Sequence, residues 1–353
     1  GTILVVFFLG WRLGGRWPAL LGALGVAIYP PFIHSVGEIM SEPPAMLTLP
    51  AAVLAFLWAG NIGPPGEDEP PSRSAAAWLV PGVLFGLTAM FRPEYLFVGA
   101  VFVVLAGLRA GRGRGWRPGL SGAAVLLIAL LLPILPWTVR NLVVLDKVVP
   151  ISTGSGKALY VGTYLPGDGE YQRVKAILAE RYLGRDLEPG SPELDAVDPT
   201  ELFDRVAEET HPDLPRDEAL GRLGRENLEE YFGEDPLDYT AMTVRKVWRM
   251  WSAGVGEAMS STPGRVVQVL IVLLGLGGFV LLALRRRWWE ILALAAPILV
   301  ITAIGALSLA PPRRNEVLMT LVFPLAGLAL SSGLTAIFSG REWSSEQASS
   351  QPS

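Results

Sequence analysis

The chain has 353 residues, is 51% hydrophobic, carries a formal net charge of −4 and holds no cysteine. That apolar fraction is high for a water-soluble protein, and the mild acidity argues against nucleic acid as a partner. The absent cysteines exclude disulfide frameworks and thiolate metal sites.

Charged residues crowd into 165–250 and into short clusters between apolar runs. This is the pattern of a polytopic membrane protein with one hydrophilic insert. Gly1 opens directly into "TILVVFFLG", with neither a methionine nor a charged leader. That is not the form of a signal peptide, and the expectation is a fragment whose first residues lie upstream. Spans need about 20 apolar residues, fewer where the helix is partly buried. Nine segments qualify: 1–12, 17–32, 41–60, 75–91, 93–109, 120–138, 265–284, 289–309 and 316–338.

Arginine placement predicts the orientation. "LRAGRGRGWRPG" (Arg109, Arg112, Arg114, Arg117) and "LRRRWWE" (Arg285 to Arg287) belong on the cytoplasmic side, and two spans separate them. The insert at 139–264 then faces outward. Counting back puts Arg12, Arg16 and the Pro/Gly linker 61–74 inside. Three short outward turns remain, at 33–42, 91–94 and 310–316. The expected organisation is helices at 1–138, the insert at 139–264, helices at 265–338 and a disordered cytoplasmic tail at 339–353.

The outward turns hold the polar residues of interest. The first carries His34, Glu38 and Glu42, spaced so that one helix would set them on one face. A histidine with two carboxylates can bind a divalent metal, and interfacial solvation is the competing reading. The second turn, "FRPE", carries Arg92 and Glu94; the third, "APPRRNE", carries Arg313, Arg314 and Glu316. Charges at bilayer depth cost about 2.5–3.5 kcal/mol or more, so such residues usually have partners. Ordinary helix-end residues are the bland alternative.

The insert begins "RNLVVLDKVVPISTGSGKALYVGTY", whose β-branched runs broken by Gly and Pro predict strands. "STGSGK" lacks the spacing of a phosphate loop. "GEYQRVKAILAERYLG" and "DPTELFDRVAEET" predict helices, the second capped by Asp198 with Pro199 at its first position. A mixed α/β insert is therefore expected. His211 reads as a surface loop residue. "DPLDYTAMTVRKVWRMWSAG" leads back to the membrane, with Trp248 and Trp251 suited to the interface.

Four segments carry a resemblance: "SEPPAMLTLPAAVLAFLWA", "GLTAMFRPEYLFVGAVFVVLAGL", "LLPILPWTVRNLVVLDKVVPISTGSGKALYVGTY" and "PPRRNEVLMTLVFPLAGLAL". In that order they resemble the polyprenyl-phosphate-sugar-dependent glycosyltransferases of the GT-C fold. These include protein mannosyltransferases and bacterial enzymes that modify lipid A or cell-wall glycans. The most specific piece is Pro136, Trp137, Arg140 and Asn141 at a span end.

The resemblance implies an all-α polytopic membrane enzyme. It would move a sugar from a polyprenyl phosphate to a lipid, glycan or protein acceptor on the outer face of a prokaryotic inner or plasma membrane. It implies an acidic residue opening a helix, a position Glu42 matches. It also implies a catalytic aspartate in a first outward loop that would precede Gly1. Phosphate recognition would fall to Arg92, Arg313, Arg314 and Arg140, supported by His34, Glu38, Glu94 and Asn141. The family's last loop often pairs Arg with Tyr, and here Arg313 is followed by Arg314. No cofactor is firmly implied, and a divalent metal remains a candidate at Glu42 or at His34 with Glu38. The rival expectations are a secondary transporter or lipid flippase, and a non-catalytic envelope assembly protein.

Overall fold

A computed structural model of the chain describes residues 1–63 and 73–349, with backbone only for Glu257 and 336–349. Every regular element among the described residues is a helix. In chain order these are α1 (Thr2–Gly14), α2 (Arg16–Ile28), α3 (Pro30–Val36), α4 (Glu42–Ala59), α5 (Leu79–Phe91), α6 (Tyr95–Gly111) and α7 (Trp116–Leu131). Then come α8 (Ile134–Leu145), α9 (Ser155–Thr163), α10 (Tyr171–Leu183), α11 (Pro192–Asp195), α12 (Pro199–Thr210), α13 (Arg216–Glu234) and α14 (Pro236–Ser252). The chain closes with α15 (Glu257–Ser260), α16 (Thr262–Leu284), α17 (Trp288–Leu307) and α18 (Arg313–Ser349).

Two compact units result. The first joins Gly1–Pro136, Gly254–Ile298 and Glu316–Ser353; the second joins Trp137–Ala253 and Leu299–Asn315. Among the described residues four helices are long and apolar enough to cross a membrane: α4, α16, α17 and the Arg313–Thr335 part of α18. Two bent pairs, α2 with α3 (54°) and α7 with α8 (45°), raise the number to as many as six where each is counted as one broken span. Both bends have a local cause. Tyr29 precedes Pro30 and is extended, as the residue before proline prefers, while Pro133 interrupts the second pair. The chain is thus an all-α protein with several membrane-competent helices. Much of α16 supports this, since Val266, Leu270, Leu273, Leu276 and Val280 stand exposed with no polar face to balance them.

The first unit packs on aromatic rings and on close backbone approaches. Phe56 of α4 meets Phe102 of α6 at 4.8 Å, and Phe102 meets Phe85 of α5 at 4.2 Å. A Cβ at Gly82 would fall 2.6 Å from the Leu126 carbonyl, so only glycine lets α5 and α7 come together there.

The expected mixed α/β insert is corrected: the second unit has no strand among its described residues. The valines read as strand lie on α8 and in the segment after it. Val143, Val144 and Val148 are exposed. Residues 149–151 form no regular element, and their carbonyls are met by α8 side chains. Trp137 Nε1 donates to Ile151 O at 2.8 Å, Thr138 Oγ1 to Pro150 O at 2.9 Å and Asn141 Nδ2 to Val149 O at 3.0 Å. With those acceptors satisfied by a helix, no ladder forms, and strand propensity yields to context. The core of this unit joins Tyr160, Val174, Leu178, Leu202, Phe203 and Leu220. The predicted cap holds: Asp198 accepts from the Thr200 N–H, with Pro199 in the first turn of α12.

The 61–74 linker falls mostly outside the described residues, and so do the last four residues of the expected tail at 339–353. The backbone of 339–349 continues α18.

Candidate functional site

The first unit gathers charge at one end. Arg92 precedes Pro93 and leaves the helical region, which stops α5 at Phe91 and lets the chain turn back as α6. Glu42 begins α4, where Pro43 and Pro44 suit a first turn that needs no N–H donors. The two side chains meet across 50 residues of sequence: Arg92 Nη1 donates to Glu42 Oε1 at 2.5 Å. Arg92 also holds Glu94, with Nε and Nη2 at 3.1 and 3.0 Å from Oε1. Glu42 is 3% exposed, and its second oxygen accepts from Ser41 Oγ at 3.3 Å. The turns 33–42 and 91–94 therefore come together here. An incoming phosphate would compete with two carboxylates for the same guanidinium, which suits Arg92 to holding Glu42 in place better than to binding an anion.

The third turn reaches the same unit through Glu316. Its side chain is fully buried and accepts from Ser35 Oγ, at 3.1 Å from Oε1 and 3.0 Å from Oε2. Nearby, Tyr29 donates to Gln268 Oε1, both residues being buried. His34, Glu38 and Glu42 do not share one helical face. α3 ends at Val36, capped by Gly37, and α4 starts afresh at Glu42, leaving His34 and Glu38 exposed. The proline pair after Glu42 explains the break, because it discourages a helix from running in from the N-terminal side. Among the described residues no three His, Asp or Glu side chains are grouped to hold a metal ion.

The second unit holds the remaining candidates. Asn141 is buried and its amide is spent on the Val149 and Ile151 carbonyls, a tie within the fold. Arg140 donates to Asn141 Oδ1 at 3.1 Å, covers the Trp137 ring at 5.0 Å and stays exposed. Arg314 donates to Ser308 Oγ at 3.2 Å. Arg313 is exposed and has no hydrogen bond or ion pair among the described residues. Its charge acts on Lys157 and Tyr171. Lys157 Nζ lies 5.7 Å from the Tyr171 ring and 5.6 Å from Phe203. Burial, with Arg216 and Arg313 adding to it, pushes the Lys157 amine below its usual range. The start of α9, the "STGSGK" stretch, already has an anion: Asp217 Oδ1 accepts from the Gly156 N–H at 2.9 Å.

Two groups here escaped sequence reasoning. Lys246 is 1% exposed and donates to the carbonyls of Gly162 (2.5 Å), Ala306 (3.0 Å) and Ser308 (3.2 Å). Burial pushes its amine down to about 8. Asp168 collects Arg245 (Nε 3.0 Å, Nη2 2.7 Å) and Arg249, with Arg173 at 3.8 Å. The signal for Lys246 was a lone cation on the apolar side of an amphipathic helix. Asp168 offered none beyond its glycine neighbours.

Comparison of the chain with protein-family models, with curated proteins and with solved structures finds no match. A buried carboxylate fixed by an arginine can accept a proton or orient a hydroxyl. Exposed cations beside aromatic rings can take an anionic ligand with apolar or sugar-like surface.

Proposed function

We propose that the protein is a membrane glycosyltransferase that moves a sugar from a polyprenyl-phosphate carrier to an acceptor hydroxyl or amine outside the membrane. All nine predicted segments would cross the bilayer, the three short apolar helices Thr2–Gly14, Ala75–Phe91 and Tyr95–Gly111 among them. The observation that carries the reading is Glu42. It is a nearly buried carboxylate at a helix start, with one oxygen held by Arg92 and the other bonded only to a neutral hydroxyl.

In this reading Glu42 Oε2 orients the acceptor and takes up its proton. The acceptor atom forms its bond to the anomeric carbon as the bond from that carbon to the phosphate oxygen breaks. The electron pair leaves with the phosphate, and the anomeric centre inverts. The departing phosphate needs cations or hydrogen-bond donors beside it. A transporter is the second reading, favoured by the fully buried Glu316 with its Ser35 donor, since buried carboxylates among apolar helices also serve ion relays.

The test incubates membranes holding the protein with a radiolabelled polyprenyl-phosphate sugar and an envelope extract. Labelled product is expected, falling about a hundredfold or more in Glu42→Gln. Solute flux into sealed vesicles with no covalent product would replace this proposal with the transporter.

A further inference from the structure

Opposite the Glu42 end, the first unit closes on a rim of arginines. Arg12 donates to the Leu57 carbonyl at 3.2 Å and to that of Ile62, Arg109 to Gly60 O at 2.8 Å and Arg73 to Trp58 O at 3.1 Å. These cations close the C-terminal end of α4, where helix carbonyls lack partners. Arg287 donates to Leu13 O and Arg12 O and pairs with buried Glu290 at 2.7 Å.

Beside this rim a groove opens between the α1–α2 turn, the end of α16 and the far part of α18. Trp17, Pro18, Arg285, Ser331, Ser332 and Thr335 line it, with no carboxylate among its described lining residues. The backbones are brought close by small residues. A Cβ at Gly14 would come 2.6 Å from Leu328 Cδ1, and one at Gly327 would come 2.5 Å from Pro18 O. Ser331 and Thr335 turn their hydroxyls onto helix carbonyls, at 3.1 and 2.9 Å. Ser332 Oγ accepts from Arg285 Nη2 at 3.4 Å, and its own proton has no acceptor among the described residues. Arg285 is exposed, and Arg16 lies 5.7 Å over the Trp17 ring. Trp17 (64% exposed) and Trp288 (58%) both stand at this end, next to arginines, as tryptophans do at the membrane–water boundary. The groove thus holds a forked donor and a hydroxyl and borders exposed apolar helix, and a membrane boundary at these tryptophans would put it at headgroup depth.

We propose that this groove binds the phosphodiester of an anionic phospholipid, with Arg285 and Ser332 on the phosphate oxygens and the acyl chains along α16 and α18. Guanidinium geometry matches two phosphate oxygens, and the surplus of cations at this rim selects a headgroup without its own positive charge. The inference rests on the membrane-spanning reading and is independent of glycosyl transfer.

Native mass spectrometry of the detergent-solubilised chain with dioctanoyl phosphatidylglycerol tests it. A retained lipid adduct is expected, with affinity falling about fivefold in Arg285→Gln, the effect of one interfacial cation. Ser332→Leu fills the groove without changing charge and should lower affinity at least as much. Arg117→Gln removes a cation from a different loop and should change nothing. The proposal falls if Arg285→Gln and Ser332→Leu both retain the lipid normally. It also falls if Arg117→Gln loses the lipid equally, if dioctanoyl phosphatidylcholine binds as tightly, or if millimolar inorganic phosphate displaces the lipid.

Discussion

Asp168 shows how one carboxylate can organise a surface otherwise rich in arginine. It lies in a left-handed turn (φ 52°) just after Leu165–Gly167 and draws Arg245 and Arg249 of α14 onto that turn. Burial raises its pKa, but the hydrogen bonds from the two arginines outweigh it and hold the carboxyl below the usual value of 3.8. A group depressed in the folded state contributes stability above its unfolded pKa and loses it as pH falls through the folded one. The contribution of Asp168 is thus whole at neutral pH and disappears below pH 3.8. Asp168→Asn should cost about 2 kcal/mol at pH 7, the worth of hydrogen bonds to a charged group. The cost should shrink as pH drops below that value. Thermal unfolding of both proteins in detergent from pH 7 to pH 3 measures it, and a penalty unchanged across the range would contradict the assignment. At this scale the sequence was half legible. Arg92, Glu94 and Glu42 stood out because proline and span ends mark turns where charge must find a partner. Ser35 with Glu316 did not, because a pairing across 281 positions leaves no local pattern.

Among the elements, the membrane helices were the most readable part. A long apolar run has one cheap solution in lipid, a helix that satisfies its own backbone, and all nine predicted segments are largely helical, four of them, or up to six with the bent pairs, long and apolar enough to span. The bends at Pro30 and Pro133 are local proline effects, visible in the sequence. The insert was misread because Val-rich segments state only that a residue is β-branched, while a strand needs a partner edge. In "VVLDKVVPIS" the edge is taken by α8 itself, whose Trp137, Thr138 and Asn141 side chains bond the carbonyls a neighbouring strand would have used. The consequence can be tested by comparing two substitutions. Asn141→Ala should cost about 1–3 kcal/mol, since it removes the donor to Val149 O. It should also speed amide exchange over 146–154. Val148→Gly, at a side chain 73% exposed, should cost less than about 1 kcal/mol. The reverse ranking would mean that strand-like packing orders this segment.

For the whole molecule, the arginine rim turns a statistical rule into a geometric one. Sequence reasoning put Arg12, Arg109 and the run Arg285 to Arg287 on one side by counting spans. In the first unit Arg12, Arg73 and Arg109 share the C-terminal end of α4, and Arg287 reaches the Arg12 carbonyl. Glu42, Arg92 and the Ser35–Glu316 pair belong to the other helix ends. Cations are retained on the cytoplasmic side during insertion, so the rim should face the cytoplasm. The predicted topology puts two spans between Arg117 and Arg285, and on that count the insert should face the other way. The chain has no cysteine, so single cysteines report topology without background. Ser74→Cys sits beside the rim and Ser152→Cys in the insert, both at exposed positions where the change is nearly isosteric. A membrane-impermeant maleimide should label Ser152→Cys on intact cells, and Ser74→Cys only after permeabilisation. Reversed labelling would invert the topology and place Glu42 in the cytoplasm, away from any donor presented outside. Labelling of both in intact cells would mean that the helices between them do not separate two compartments.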